Sequence, residues 1–379
     1  MKYWGHALMS VQDILIQRIR ERGPITVAEF MEIALYHPGL GYYATAAQRS
    51  GRAGDFYTSV DVGPLFGELV AEQIAEMWER LRERGATTFD LVEAGAGNGR
   101  LARDILDALA AAHRGAYARL RLTLVEASAA ARAAQHETLR DHRARIVGSV
   151  PDLPSSVRGV ILANELLDAL PVHLVTMTGA GLREILIGEH DGRLVETEGP
   201  PSDPRIAEYL ASAGATLERG ARAEVGLAAC RWIDAAASAL AAGFLLLFDY
   251  GHEAPQLYSP THYSGTLAAY RAHTAGAAGW LQDPGSADLT SHVNLTAIRQ
   301  AAEAAGLTTM GIVDQTYFLI ALGLAERIEK GDDLPVIKRR LAARTLMMPG
   351  GLGSTMKVMA FGRHTGRGTL RGVAHGRLT

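Results

Sequence analysis

The segment FDLVEAGAGNGRLARDIL, Phe89 to Leu106, restricts this chain more than any other. A short apolar run ends at Glu93. Gly95, Gly97 and Gly99 then alternate with other residues, and Leu101, Ile105 and Leu109 fall on one helical face. An apolar run, a glycine turn and an apolar period of about 3.6 read as strand, turn and helix. Such a turn lets backbone N–H groups and a helix N-terminus approach a nucleotide-like ligand. The plain alternative is a strand–helix connection that needs glycine only for positive φ and close packing.

The acids flanking the turn narrow the choice. A dinucleotide fingerprint spaces its glycines G-x-G-x-x-G and seats a pyrophosphate on the helix. Here the spacing is G-x-G-x-G, with Glu93 before it. A carboxylate at that strand end repels phosphate but suits S-adenosylmethionine, which carries a sulfonium and an ammonium. Glu126 closes the next apolar strand, LRLTLVE. A carboxylate there accepts from ribose hydroxyls, and that mark fits either cofactor.

Composition sets outer limits. The chain has 379 residues, long enough for a full α/β domain with smaller modules, and a net charge of −3. It has no global basic field, so nucleic acid is not a favoured partner. Cys230 is the only cysteine, which rules out an intrachain disulfide and a cysteine metal cluster. No metal site is expected. No apolar run reaches membrane-spanning length, and the N-terminal residues lack a signal-peptide pattern. A cytoplasmic protein is the expectation.

Pattern reading divides the chain. Residues 1–62 form an N-terminal helical and lid segment, with helices near Val11–Arg22 and Thr26–Ala34; Thr26 and Glu29 suggest a capping box. Ala44–Gly54 is small and polar and should be mobile. Residues 63–172 form the first half of the cofactor-binding core. Residues 173–222 are short and strand-like, with Asp191-Gly192 as a hairpin turn, and read as an antiparallel insertion. Residues 223–361 supply the second half of the core with helical additions. Residues 362–379 read as a solvated, disordered tail. The fold class is α/β: a Rossmann-like, seven-stranded class I methyltransferase sheet, with the last strand antiparallel. Ligands of such sheets sit at the carboxyl ends of the strands, so Glu93, Glu126, Asn164 and Asp249 should converge on one edge.

Several further segments form a recognisable set. They are Gly54-Asp55-Phe56-Tyr57-Thr58-Ser59, Phe66-Gly67-Glu68, and Glu126 leading to Ser128, Gln135 and Leu139. After them come Asn164-Glu165-Leu166-Leu167-Asp168-Ala169-Leu170-Pro171, Asp249-Tyr250-Gly251, Asp288-Leu289-Thr290-Ser291-His292-Val293, Gln315 and Lys357-Val358. With them the chain resembles the MidA-like S-adenosylmethionine-dependent methyltransferases from about His37 to Phe361. The resemblance implies a class I fold with inserted elements, S-adenosylmethionine as cofactor, and, for the mitochondrial member, dimethylation of an arginine in a respiratory complex I subunit. This chain departs from the family at Val60-Asp61-Val62, at Ala127-Ser128-Ala129 and at Asn294-Leu295.

The expected cofactor-binding residues are Thr58, Ser59, Glu93, Gly95, Gly97, Gly99, Glu126 and Asn164. The expected catalytic residues are Asp55, Glu165, Asp168 and His292. Carboxylates beside a guanidinium attract it, polarise it toward one nitrogen and take up the proton lost on methylation. If Glu165–Asp168 is one helical turn, the two acids share a face. The leading reading is a protein arginine N-methyltransferase acting on a protein partner. The others are a small-molecule O- or N-methyltransferase, a non-catalytic cofactor-binding assembly factor, and a nicotinamide oxidoreductase.

Overall fold

The apolar runs of the sequence form seven strands: β1 Phe89–Ala94, β2 Leu120–Val125, β3 Ile146–Val150, β4 Val157–Asn164, β5 Leu240–His252, β6 Thr308–Asp314 and β7 Met356–Arg363. They pair in the order β6-β7-β5-β4-β1-β2-β3. β7 runs antiparallel to both of its neighbours. The other pairings are parallel, and the short strand Val293–Asn294 joins β5 at its carboxyl end. This is the class I methyltransferase sheet expected from the pattern. Its central strands carry apolar side chains on both faces, as strands covered by helices on each side must.

The computed structural model describes residues 9–44, 58–271, 274–276, 279–328, 331, 333–349, 352–366 and 368–374. The chain divides into two compact units. One comprises Met1–Ala46, Ala169–Ala228 and Ala254–Ser291; the other comprises Ala47–Asp168, Ala229–Glu253 and His292–Thr379. The seven-stranded sheet lies in the second, the core unit.

Within the core unit, helix α1, Leu65–Arg82, buries Phe66, Val70, Ile74 and Met77. Helix α2, Arg100–Ala112, buries Leu101, Ile105 and Leu109. The two helices cross at Gly67, where a Cβ would stand 2.6 Å from that of Asp104. Helix α3 spans Ala129–Thr138, α4 Gln315–Ala321 and α5 Leu334–Leu346.

The tail differs from expectation. Leu370 and Val373 are buried, Gly372 N donates to Gln73 on α1, and Arg80 on α1 donates to the carbonyls of Gly368 and Thr369. Two apolar side chains in a Gly/Arg-rich run are enough to seat it, because α1 offers paired acceptors and donors. Residues 375–379 lie outside the described residues.

In the other unit, His173–Thr178, Gly181–His190 and Arg193–Gly199 form an antiparallel meander, with Ile25–Thr26 and Arg222–Val225 added at its sides. The Asp191-Gly192 turn has φ of 49° and 76°, as a two-residue hairpin requires. The Thr26 cap forms through Glu29 N, but the Glu29 carboxylate pairs with Arg18 instead of closing the box. The full capping box belongs to Ser10 and Asp13.

Candidate cofactor and methyl-transfer site

The glycine turn is held from three sides. Gly95 N and Ala96 N donate to Val125 O at the end of β2. Gly97 N donates to the Glu126 carboxylate at 2.8 Å, and Ser128 N donates to its other oxygen at 2.7 Å. Gln135, fully buried on α3, donates to Gly97 O at 2.8 Å and accepts from Ser149 Oγ at 2.6 Å. All three glycines have positive φ, and Gly99 at 84° caps α2. Next to Gly95 and Gly99 a Cβ would touch Leu166 and Leu139, whereas next to Gly97 there is open space. The middle of the turn is therefore the face that a ligand can approach.

Glu93 is buried at the end of β1, and its Oε2 has no partner. Burial pushes its carboxyl up to about 8; the Ala102 amide in the first turn of α2 opposes this, while Glu126 and Asp104 add to it. Asn164, at the end of the adjoining strand β4, has a buried Oδ1 that is likewise without a partner. Two orphaned acceptors on neighbouring strand ends suit a ligand that brings donors and positive charge. S-adenosylmethionine brings both, so these residues fit it, with Glu126 left to accept from the ribose.

Asn164 Nδ2 donates to Glu165 at 3.1 Å. Glu165 stands in the left-handed region, φ 52°. Its N donates to Phe248 O on β5. The helical turn on which a shared face for Glu165 and Asp168 depended does not form. The buried Asp249 carboxylate gathers the amides of Leu166 and Leu167 at 3.2 and 2.7 Å, and that of Tyr250 at 3.0 Å, which bends the chain into a turn around it. Burial raises the Asp249 carboxyl, and these amides oppose the shift. Burial also pushes Glu165 up to about 8; the Asn164 amide and Ser59 N–H oppose this, and the Asp249 and Asp61 carboxylates reinforce it. Asp168 is buried in the same turn. Since Leu166 packs on Gly95, this acidic turn stands directly against the glycine turn.

Ser59 reaches the site through its backbone N–H, which bonds Glu165, whereas Thr58 is turned to Asp61. Thr58 N and Oγ1 both donate to Asp61, and Ser59 Oγ donates to Gln315 at 3.0 Å. Asp61 in turn pairs with Arg100, the first residue of α2. The structure thus brings Ser59, Glu93, the glycine turn, Glu126, Asn164, Glu165, Asp168 and Asp249 to one edge of the sheet. His292 sits beside the end of β5, its ring 5.1 Å from that of His252. Asp55, with Gly54, Phe56 and Tyr57, lies outside the described residues, as does all but the first residue of the Ala44–Gly54 stretch expected to be mobile. Sequence reasoning named Gln135 only among the segments that carry the resemblance and Asp61 only where the chain departs from it, and gave no role to Arg100 or Ser149.

Residues 69–313 match the family model described as S-adenosyl-L-methionine-dependent methyltransferase. The chain belongs to this family. A crystallised Burkholderia thailandensis protein bound to S-adenosyl-homocysteine superposes with a TM-score of 0.88 at 32% identity, covering 97% of this chain and 95% of that one. The mitochondrial protein arginine methyltransferase NDUFAF7 homolog of Drosophila melanogaster is 30% identical over 86% of this chain and 77% of its own. The bovine NDUFAF7 is 28% identical over 92% and 82%. The methyltransferase uses S-adenosylmethionine, as the glycine turn and its acids anticipate. One expectation is overturned. The characterised relatives are named as mitochondrial, which removes the ground for a cytoplasmic assignment. Charge and hydropathy shape a fold but carry no address. Among the described residues no helix is long and apolar enough to cross a membrane.

Proposed function

We propose that this methyltransferase modifies an arginine side chain of a partner protein, with Glu165 as the group that receives the guanidinium. The observation that carries the reading is the acidic turn after β4. Gathered around Asp249 of β5, it holds Glu165 and Asp168 against the glycine turn, in a setting that leaves Glu165 protonated near neutral pH. The names of the curated relatives point the same way.

S-adenosylmethionine supplies an activated methyl group on a sulfonium, so the protein's task is positioning and charge matching. Glu93 and Asn164 would hold the donors of the cofactor with their orphaned oxygens, and Glu126 would accept from its ribose. The Gln135 clamp keeps Gly97 N on Glu126, which fixes the carboxylate in place. An entering guanidinium drives the proton of Glu165 off to solvent and pairs with the carboxylate left behind. That charge draws the cation to one nitrogen, and the carboxylate takes up the proton that this nitrogen loses on methylation. Asp249 holds the loop by its amides and is a positioning residue. Thr58 and Ser59 support the turn through Asp61 and Gln315. Asp168 and His292 complete the proposed set at the same edge.

The test uses tritiated S-adenosylmethionine and a lysate depleted of small molecules, followed by acid hydrolysis. Methylarginine in the protein fraction is the expected product, and Glu165→Gln should abolish it while S-adenosyl-homocysteine still binds. Label recovered only in added small-molecule acceptors would overturn the reading.

A further inference from the structure

Among the described residues, five of the nine large apolar side chains left exposed fall within residues 317–348 of the core unit. They are Tyr317 and Ile320 on α4, Leu334 and Leu341 on α5, and Met348 just past α5, each 46–63% exposed. Scattered single side chains of this kind are ordinary, but a concentration of them marks an interaction surface. α4 meets the last residue of α5 where Gln315 Nε2 donates to Leu346 O; Thr316 N donates to Gly353 O, past the end of α5.

α5 is firmly docked by its other side. Ala342, Ala343 and Leu346 are buried, and Arg339 is held by Glu68 on α1. Its outer side exposes Leu334 and Leu341, seven residues apart, with Met348 seven residues further on, past the end of the helix, and Lys338 and Arg344 exposed between them. The helix, LPVIKRRLAARTL, contains no acid. A seven-residue apolar seam with charges beside it is how one helix presents itself to another.

We propose that the α4–α5 surface docks an acidic amphipathic helix of a partner protein. Its apolar residues would lie along Leu334, Leu341 and Met348, and its carboxylates would meet Lys338 and Arg344. A second copy of this chain fits poorly, because pairing α5 with itself sets these cations against each other. A lipid surface has no register for a seven-residue repeat to match. The inference is independent of the acceptor proposed above, since docking requires no methyl transfer.

The experiment uses the full chain and a fluorescein-labelled synthetic helix of leucine and glutamate in heptads, read by anisotropy. Saturable binding is expected. Leu341→Asp, and separately Lys338→Glu with Arg344→Glu, should weaken it by about tenfold or more. Neither substitution should lower Tm, as all three side chains are exposed. Replacing the peptide's glutamates with lysine should abolish binding. Three results overturn the proposal: no saturable binding, equal binding by the variants, or equal binding of the lysine peptide. Two more overturn it in favour of another occupant. One is a dimer in solution that Leu341→Asp dissociates; the other is Leu341-dependent sedimentation with phosphatidylglycerol vesicles when the peptide does not bind.

Discussion

At Glu165 the backbone is left-handed, φ 52°, a conformation that costs a non-glycine residue about 1–2 kcal/mol. The site tolerates it because Asp249 gathers the following amides and Phe248 O takes the Glu165 N–H. Strain that surroundings over-determine in this way collects at functional positions. Glu165→Gln should lower the rate of methyl transfer by about 100-fold or more, with the dissociation constant for S-adenosyl-homocysteine little changed in calorimetry. Gly97→Ala tests the other half of the site. Its Cβ meets no protein atom, so the fold should lose only about 1–2 kcal/mol from the αL penalty, yet cofactor affinity should drop at least ~10-fold. Gln135→Leu should raise KM for S-adenosylmethionine more than it lowers kcat, because it frees Gly97 O and Ser149 without touching the reacting atoms. The strand-end acids were legible in the sequence, since a strand ending before glycine announces where its last side chain stands. The turn at Glu165–Asp168 was not. Its shape depends on Asp249, more than eighty residues further along the chain, and no local pattern encodes that carboxylate's reach.

Among the elements, β1, β4 and β5 leave no room for a side chain at Gly159 and Gly243. A Cβ on Gly159 would fall 1.9 Å from Asp90 O, and one on Gly243 would fall 1.9 Å from Gly159 O. Both obstacles are backbone, which cannot swing aside. Gly159→Ala should therefore cost about 3 kcal/mol or more and lower soluble expression, measured against wild type by denaturant midpoint. The tail makes a milder case. A Cβ on Gly372 would stand 2.5 Å from Phe318 and 2.7 Å from Gln73 Oε1, both side-chain atoms, so Gly372→Ala should cost about 1–3 kcal/mol and lower Tm by several degrees. Period and length speak locally: β1, β2 and α2 stand where their apolar patterns put them, and the sheet has the seven strands, the last antiparallel, that the pattern implied. The seating of Leu370 and Val373 was hidden, because two apolar residues form no period and their binding surface belongs to distant helices.

Across the whole molecule, buried acids make stability depend on pH. Glu93 and Glu165 both titrate near 8 in the native protein, above the ordinary 4.5. Between those values the folded chain holds protons that the unfolded chain has released, so stability falls as pH rises through that window. Thermal midpoints should decline from pH 5 to pH 8, and the decline should flatten in Glu93→Gln and Glu165→Gln. Glu68, pulled down by Arg339, acts in the opposite sense and only in acid, below about 4.5. The sequence reading placed the N-terminal helices and the antiparallel meander in separate segments. Ile25 pairs with Ile187, a link that no local feature of either announces. The sheet order has one more consequence, for synthesis. β7 lies between β5 and β6 yet is the last of the seven to be made. Until Met356–Arg363 leaves the ribosome, β5 keeps an unpaired edge and β6 has no neighbour in the sheet. A nascent chain stalled before that point displays a sticky strand edge, a target for chaperones and a seed for aggregation. Completion of the sheet therefore waits for Met356–Arg363, whatever has already folded before it.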